Sequence, residues 1–196
     1  MKLSSAVLGS LSLFCVATAS LTMNQAEAYP RYTYSAPFYR NTSDHLFAEV
    51  NYADSLVMLE DGSQWRVAGE DYLTLISWRL HDPAYITPNY YYSDFKFYIT
   101  NQADGSYVLA NLVNAPIRGA PYTFSITGMD LQSYGKKGIH LSNGTFWSVS
   151  DLDAHILQNW VIDDLVIIGR NSEWFTSNRN ILINVSTNNF VRARRI

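Results

Sequence analysis

Cysteine is almost absent from this chain. Cys15 is the single cysteine among 196 residues, and it lies inside the apolar run Ala6–Val16. That run is shorter than the about 20 apolar residues that span a bilayer. With a lysine before it and small residues after it, the run is typical of a secretory signal peptide. We expect a signal peptide within residues 1–28 that is removed by cleavage after Ala19 or Ala28. Either cleavage removes Cys15 and leaves an exported chain with neither disulfide nor thiol chemistry.

Charge is also scarce. Asp, Glu, Lys and Arg together make up 16% of the chain, and the formal net charge is −3 at pH 7. No long basic run occurs, and we interpret the short segment Arg192–Arg195 as the solvent-facing side of a last strand. Nucleic acid is therefore not an expected partner. Hydrophobic residues make up 47% of the chain, which is enough to build an apolar core.

Catalytic motifs are lacking as well. The sequence contains no G-x-S-x-G elbow, phosphate-binding loop or dinucleotide-binding fingerprint, and its four histidines form no metal-spaced pair. Two groups of side chains are candidates for a catalytic or metal-binding site. Asp151, Asp153 and His155 are close in sequence, and Asp163 and Asp164 are adjacent carboxylates. We expect structural roles for them, and we predict a protein that is not an enzyme and holds no metal or cofactor.

What the chain does contain is an internal repeat. Leu59–Asn89 aligns without a gap with Leu141–Asn171, and ten of the 31 positions are identical. After one inserted residue the register resumes near Asn101 and Asn184. Such self-similarity indicates two copies of one structural unit. The identical pairs are Leu59/Leu141, Gly62/Gly144, Trp65/Trp147, Val67/Val149, Asp71/Asp153, Leu75/Leu157, Trp78/Trp160, Asp82/Asp164, Ile86/Ile168 and Asn89/Asn171.

Turn signals predict the fold of each unit. Asp61-Gly62 and Asn143-Gly144 favour two-residue type I′ hairpins, in which both central residues have φ > 0. One short helical turn follows each hairpin, and further short strands bring each unit to five or six. We therefore predict an all-β protein of two tandem, related, small SH3-like or OB-like β-barrels.

The repeated residues receive structural roles in this interpretation. We expect the glycines to serve turns, the tryptophans to fill the two cores, and the aspartates to begin strands or to cap the helical turns. Asp71 and Asp153 are the expected caps. The predicted structural set is Gly62, Trp65, Trp78 and Asp82 in the first unit, and Gly144, Trp147, Trp160 and Asp164 in the second.

The predicted organisation has four parts. A signal peptide occupies residues 1–28, and an extended arm rich in tyrosine and proline occupies residues 29–45. The first repeat unit covers residues 46–116, and the second covers residues 117–196. Composition marks the boundary between the units, because two prolines and a glycine cluster there.

The repeat also carries a resemblance. The order D/N-G-S/T-x-W-x-V, then W-x-x-x-D-x-x-x-I, covers roughly residues 55–196. It resembles uncharacterised exported bacterial proteins with paired repeats of this kind, found mostly in environmental chlamydiae. The resemblance implies export and, because that family has no assigned activity, it implies no mechanism and no catalytic residue.

Function is expected where the two copies differ. The loops Asn89–Phe95 and Asn171–Ser177 diverge yet keep aromatic rings, and aromatic loops on a rigid β scaffold suit ligand binding. The alternative is that these rings fold back as a lid over a barrel end. The candidate ligand-binding residues are Tyr90, Tyr91, Tyr92, Trp174 and Phe175.

The expected function is a non-catalytic binding or structural module of the periplasm, cell envelope or secreted space. Its aromatic loops would contact an envelope glycan or a protein. One alternative is a hydrolase acting on envelope polymers. Another is a small outer-membrane β-barrel, which the sequence disfavours because spanning strands need about 9–11 residues and these strands read as shorter.

Overall fold

The computed structural model describes residues 41–91, 93–130 and 137–196. The predicted signal peptide, residues 29–40 of the predicted arm, and Tyr92 therefore lie outside the described residues. Among the helices of the described ranges, none has the length and apolar character needed to cross a membrane.

The described chain forms two closed antiparallel barrels of six strands each, which confirms the all-β, two-barrel prediction. The first barrel contains β1 (His45–Asn51), β2 (Leu56–Leu59), β3 (Gln64–Val67), β4 (Pro83–Pro88), β5 (Phe97–Asn101) and β6 (Tyr107–Asn114). The second contains β7 (Phe124–Asp130), β8 (Lys137–Leu141), β9 (Phe146–Val149), β10 (Leu165–Arg170), β11 (Asn180–Asn184) and β12 (Asn189–Arg195).

Strand order is the same in both barrels. The first closes as β1-β2-β3-β6-β5-β4, and the second as β7-β8-β9-β12-β11-β10. Between the third and fourth strand of each barrel lies a short helical segment. In the first barrel it is a 3₁₀ turn, Gly69–Asp71, followed by α1 (Tyr72–Leu75); in the second it is two 3₁₀ turns, Asp151–Asp153 and Ile156–Asn159. The repeat in sequence is thus a repeat of topology.

Alternation along the strands separates the core from the surface. In β5, Phe97, Ile99 and Asn101 are buried, whereas Tyr98 and Thr100 between them are partly exposed. Successive strand side chains point to opposite faces, so a strand with this pattern has one face in the barrel and one face outside it. The outer face of the first barrel is therefore available to form a site.

The hairpins differ from the predicted type. Gly62 and Gly144 have φ of 83° and 77°, but the residues before them do not have positive φ. The Gly62 amide donates to Leu59 O at 2.9 Å, and the Leu59 amide donates to Ser63 O at 3.0 Å. This is a three-residue loop, a type I turn followed by one left-handed residue. The two-residue type I′ prediction is wrong, because one glycine supplies all the left-handed geometry that the loop needs.

The helix-cap prediction is also wrong. Asp71 precedes α1 without making a side-chain capping bond, and the 3₁₀ turn Asp151–Asp153 has no side-chain cap at its start, where Ser150 lies. The Asp71 carboxylate instead accepts from the Leu109 amide at 2.8 Å, and Asp153 accepts from the Arg192 amide at 2.7 Å. Both aspartates therefore tie the helical segment to the last strand of their barrel, which a reading of local sequence could not show.

Asp82 and Asp164 directly precede β4 and β10. Each carboxylate accepts a backbone N–H within its own turn. Each also accepts from an asparagine at the end of the fifth strand of its barrel, which is β5 or β11. Asn101 donates to Asp82 at 2.9 Å, and Asn184 donates to Asp164 at 2.7 Å. The repeated aspartate thus anchors the fourth strand of a barrel to the fifth.

The two barrels share one core region. Ile167, Ile181 and Ile183 of the second barrel are buried against the apolar residues of the first barrel. Gly169 of β10 lies against β4, where a Cβ placed on it would be 2.7 Å from the Ile86 carbonyl oxygen. Backbone contact this close needs a glycine. The barrels therefore pack side by side along β4 and β10.

Candidate functional site

The outer face of the first barrel carries an alternating pattern of tyrosine and threonine. In the strand register Tyr85 of β4 lies beside Thr100 of β5, and Thr87 lies beside Tyr98. Thr100 in turn lies beside Tyr107 of β6. Each ring thus has a hydroxyl-bearing neighbour across the strands. We call these five residues the tyrosine floor.

The tyrosine floor is the base of a cleft of about 640 Å³. Pro88 at the end of β4 forms one wall with Tyr90 and Tyr91 of the following loop, and residues 170–173 of the second barrel form the other wall. Neither barrel could form this cleft alone, because the floor belongs to the first barrel and one wall belongs to the second.

Arg170 fixes one end of the floor. Its guanidinium carbon lies 4.2 Å from the centre of the Tyr85 ring, which is within cation–π range. Its Nη2 donates to Gln102 Oε1 at 3.2 Å and forms an ion pair with Asp44. The Tyr85 ring therefore packs against the Arg170 guanidinium, whose charge is balanced by Asp44.

Tyr90 lies where the wall of the first barrel meets the second barrel. Its hydroxyl donates to Asn171 Oδ1 at 3.0 Å, and its ring contacts the edge of the Phe190 ring at 6.2 Å between centroids. Burial, with the nearby charge of Glu173, raises the pKa of the Tyr90 hydroxyl well above its usual value. Tyr90 therefore keeps its proton and acts as a fixed part of the wall.

The opposite wall rests on an ion-pair network. Arg192 Nη1 donates to both carboxylate oxygens of Glu173 at 2.9 and 3.1 Å. Its Nη2 and Nε donate to Asp153 at 2.6 and 2.8 Å. The hydrogen bonds that Arg192 donates to Asp153, opposed in part by burial, raise the pKa of Arg192, so its charge is permanent. Glu173 is held in the wall by a two-bond contact that leaves it little freedom to move.

The sequence candidates separate into two groups. Tyr90 and Tyr91 line the cleft. Trp174 and Phe175 do not line it; their rings lie 6.4 Å apart and project into solvent, with Trp174 86% exposed and Phe175 wholly exposed. The lid alternative is wrong for this second pair, because exposed rings cover nothing. Tyr92 lies outside the described residues.

Sequence reasoning missed the tyrosine floor. The alternation in β5 places Tyr98 and Thr100 on the face opposite Phe97 and Ile99, and that signal was present in the sequence. Arg170 gave no such signal, because its contact with Tyr85 depends on how the barrels pack.

The catalytic alternatives have structural explanations. Asp153 is bound to Arg192, while His155 is exposed. Asp164 is buried and accepts three hydrogen bonds, whereas Asp163 is exposed. Across the described ranges, no group of three or more His, Cys, Asp or Glu side chains is placed to hold a metal ion.

Comparison with known proteins gives no match. No protein-family model matches the chain, and neither a curated protein nor a solved structure matches it. The resemblance to exported bacterial repeat proteins therefore stays a prediction, and the function must be argued from the cleft itself.

Proposed function

We propose that the protein is a non-catalytic, exported module that binds an extended glycan in the cleft above the tyrosine floor. The observation that carries this proposal is the alternation of tyrosine rings and threonine hydroxyls across three strands. The site of export, in the periplasm, envelope or secreted space, is proposed from the N-terminal sequence.

A glycan matches this floor in two ways. Sugar rings have an apolar C–H face that packs on aromatic rings, and they have hydroxyl groups that both donate and accept hydrogen bonds. Tyrosine offers a flat ring with a polar tip, and threonine hydroxyls can donate or accept. The rings are also within reach of a ligand, since Tyr91 is 78% exposed and Tyr107 is 63% exposed.

The cleft favours binding over hydrolysis. Glycoside hydrolysis needs two carboxyl groups placed on either side of the scissile bond. Among the described residues that line the cleft, Glu173 supplies the single carboxylate, and Arg192 holds it through two hydrogen bonds. A polymer in this cleft would be held there without being cut.

The test is a double substitution in the cleft. We expect Tyr91→Ala with Tyr107→Ala to weaken binding to the preferred polysaccharide roughly 5- to 150-fold, since each lost ring contact is worth about 0.5–1.5 kcal/mol. Both side chains are largely exposed, so the melting temperature should change little. Affinity electrophoresis and pull-down on insoluble polysaccharides measure the binding.

The matched control is Tyr52→Ala. Tyr52 is an exposed tyrosine just beyond β1, and it does not line the cleft. We expect this variant to bind like the parent. Equal binding by the parent and the double variant would refute the proposed site.

A further inference from the structure

We infer that the ligand of the cleft is an uncharged polysaccharide rather than an acidic or an amino polymer. This inference rests on the proposed function and specifies its substrate class. It follows from the ion pairs that the charged side chains around the tyrosine floor make.

Two charged side chains, Arg170 and Glu173, occur among the described residues that line the cleft. Both are already paired with a charge of opposite sign. Arg170 is bound to Asp44 and is also hydrogen-bonded to Gln102. The Tyr85 ring covers one face of the guanidinium, 4.2 Å from its carbon.

Glu173 is also held in an ion pair. Arg192 reaches both of its oxygens and at the same time makes two side-chain bonds to Asp153. The three groups together carry one net negative charge. Lys96 lines a neighbouring cleft together with this network and offsets that charge, and its Nζ donates to Asn188 O at 2.8 Å.

An acidic polymer would find no unpaired cation along this lining. It would also approach the Glu173 carboxylate on the wall, and like charges disfavour binding. An amino polymer would compete with Arg192 for the Glu173 carboxylate, which already accepts two charge-assisted hydrogen bonds. A neutral chain avoids both costs.

The polar groups that remain are neutral and match sugar hydroxyls. Thr87 and Thr100 lie between the rings of the floor, and Ser172 lies on the wall. Hydroxyl groups both donate and accept, so they can bond to a sugar hydroxyl in either role. The tyrosine rings supply the apolar contact. Recognition would then depend on stacking and neutral hydrogen bonds.

A glycan array tests this inference, with chains of matched linkage that are neutral, carry carboxylate or sulfate groups, or carry free amines. We expect the mature protein to bind neutral chains at least tenfold more tightly than their acidic or amino counterparts. Binding should be nearly unchanged between about 0.01 M and about 1 M salt, over which the screening length falls from about 30 Å to about 3 Å. Tyr52→Ala should bind as the parent does, and the Tyr91→Ala, Tyr107→Ala variant should lose the signal.

The outcomes separate the two proposals. Binding to acidic or amino chains that weakens with salt, and that still needs Tyr91 and Tyr107, would overturn the uncharged class but leave the cleft as the site. Binding to neutral chains that persists in the double variant would place the site elsewhere and overturn both. Binding to proline-rich peptides without any glycan would also overturn both, as would a parent protein that binds no chain on the array.

Discussion

Trp78 and Trp160 show how a repeated residue is used at the scale of single side chains. Both indoles are buried. The Trp78 indole N–H donates to Ser106 Oγ and the Trp160 indole N–H donates to Asn189 Oδ1, each at 2.7 Å. The acceptors have changed while the hydrogen bond has not. Each indole therefore joins apolar burial to a satisfied donor, as a buried tryptophan requires.

This arrangement predicts the cost of removing either ring. Trp78→Ala or Trp160→Ala should lower the free energy of unfolding by about 3–5 kcal/mol, because a large cavity opens in a packed core. Urea denaturation followed by far-UV circular dichroism measures the loss. Trp174→Ala is the control, since that side chain projects into solvent and its loss should cost close to nothing. A core variant as stable as the control would contradict the assignment.

At the scale of elements, the strands were predictable from local sequence, whereas the turn type and the partners of polar side chains were not. The last hairpin of each barrel, β5–β6 or β11–β12, follows from alternation and turn residues. Asp71 was assigned to a helix cap, yet its partner is the amide of Leu109, 38 residues away. Local patterns determine which strands form, whereas the partner of a polar side chain depends on the closure of the barrel.

The residues of the candidate site likewise differ in whether local sequence could identify them. Tyr90 and Tyr91 were identifiable because aromatic residues on loops between strands are a recognisable pattern. Tyr85 and Tyr98 required the strand register, and Arg170 required the packing of one barrel on the other. A single sequence carries no direct record of that packing.

The contact between β4 and β10 can be tested at Gly169. Gly169→Ala should destabilise the protein by about 1–3 kcal/mol, the usual range for overpacking. Its Cβ would lie 2.7 Å from the backbone oxygen of Ile86, which cannot turn aside as a side chain can. Gly128→Ala in β7 is the control, because the nearest atom there, on His140, is 3.6 Å away. Urea unfolding compares the two, and equal stability would show that β4 and β10 do not pack so closely.

At the scale of the whole molecule, a buried polar cluster joins the barrels. His45 of β1 is completely buried, and its Nε2 lies 3.0 Å from the carbonyl oxygen of Ile168 in the second barrel. Its Nδ1 lies 3.4 Å from Glu60 Oε1. Glu60 also accepts from the Leu46 amide at 2.7 Å. A protonated imidazole can donate toward both oxygens at once, so the charged form of His45 suits this position.

The charges around His45 determine how its proton is held. Burial alone lowers the pKa of His45, but the hydrogen bond and charge of Glu60, the charge of Asp61 and the Ile168 carbonyl outweigh burial and raise it above 6.5. The pKa of Glu60 is lowered, despite burial, by the contact with His45. The pKa of Asp61 is raised, chiefly by burial. Protonation of Glu60 in acid destabilises the fold, whereas protonation of Asp61 stabilises it, so the two effects on stability oppose each other. The change in stability above neutral pH is therefore the clearer test of His45.

The sign of the pH dependence follows from the raised pKa of His45. A folded-state pKa above the unfolded value contributes stability that is present in full below about pH 6.5 and is lost as the pH rises through the folded pKa. We therefore expect the free energy of unfolding to fall between about pH 6 and about pH 9. His45→Gln keeps a donor for the Ile168 carbonyl but cannot titrate, so its unfolding free energy should be lower at pH 6 and nearly flat over that interval. Exposed His155 gives the matched control, since His155→Gln should retain the parent's slope in urea unfolding. A His45→Gln protein with the parent's pH dependence would show that the proton on this histidine does not stabilise the contact between the barrels.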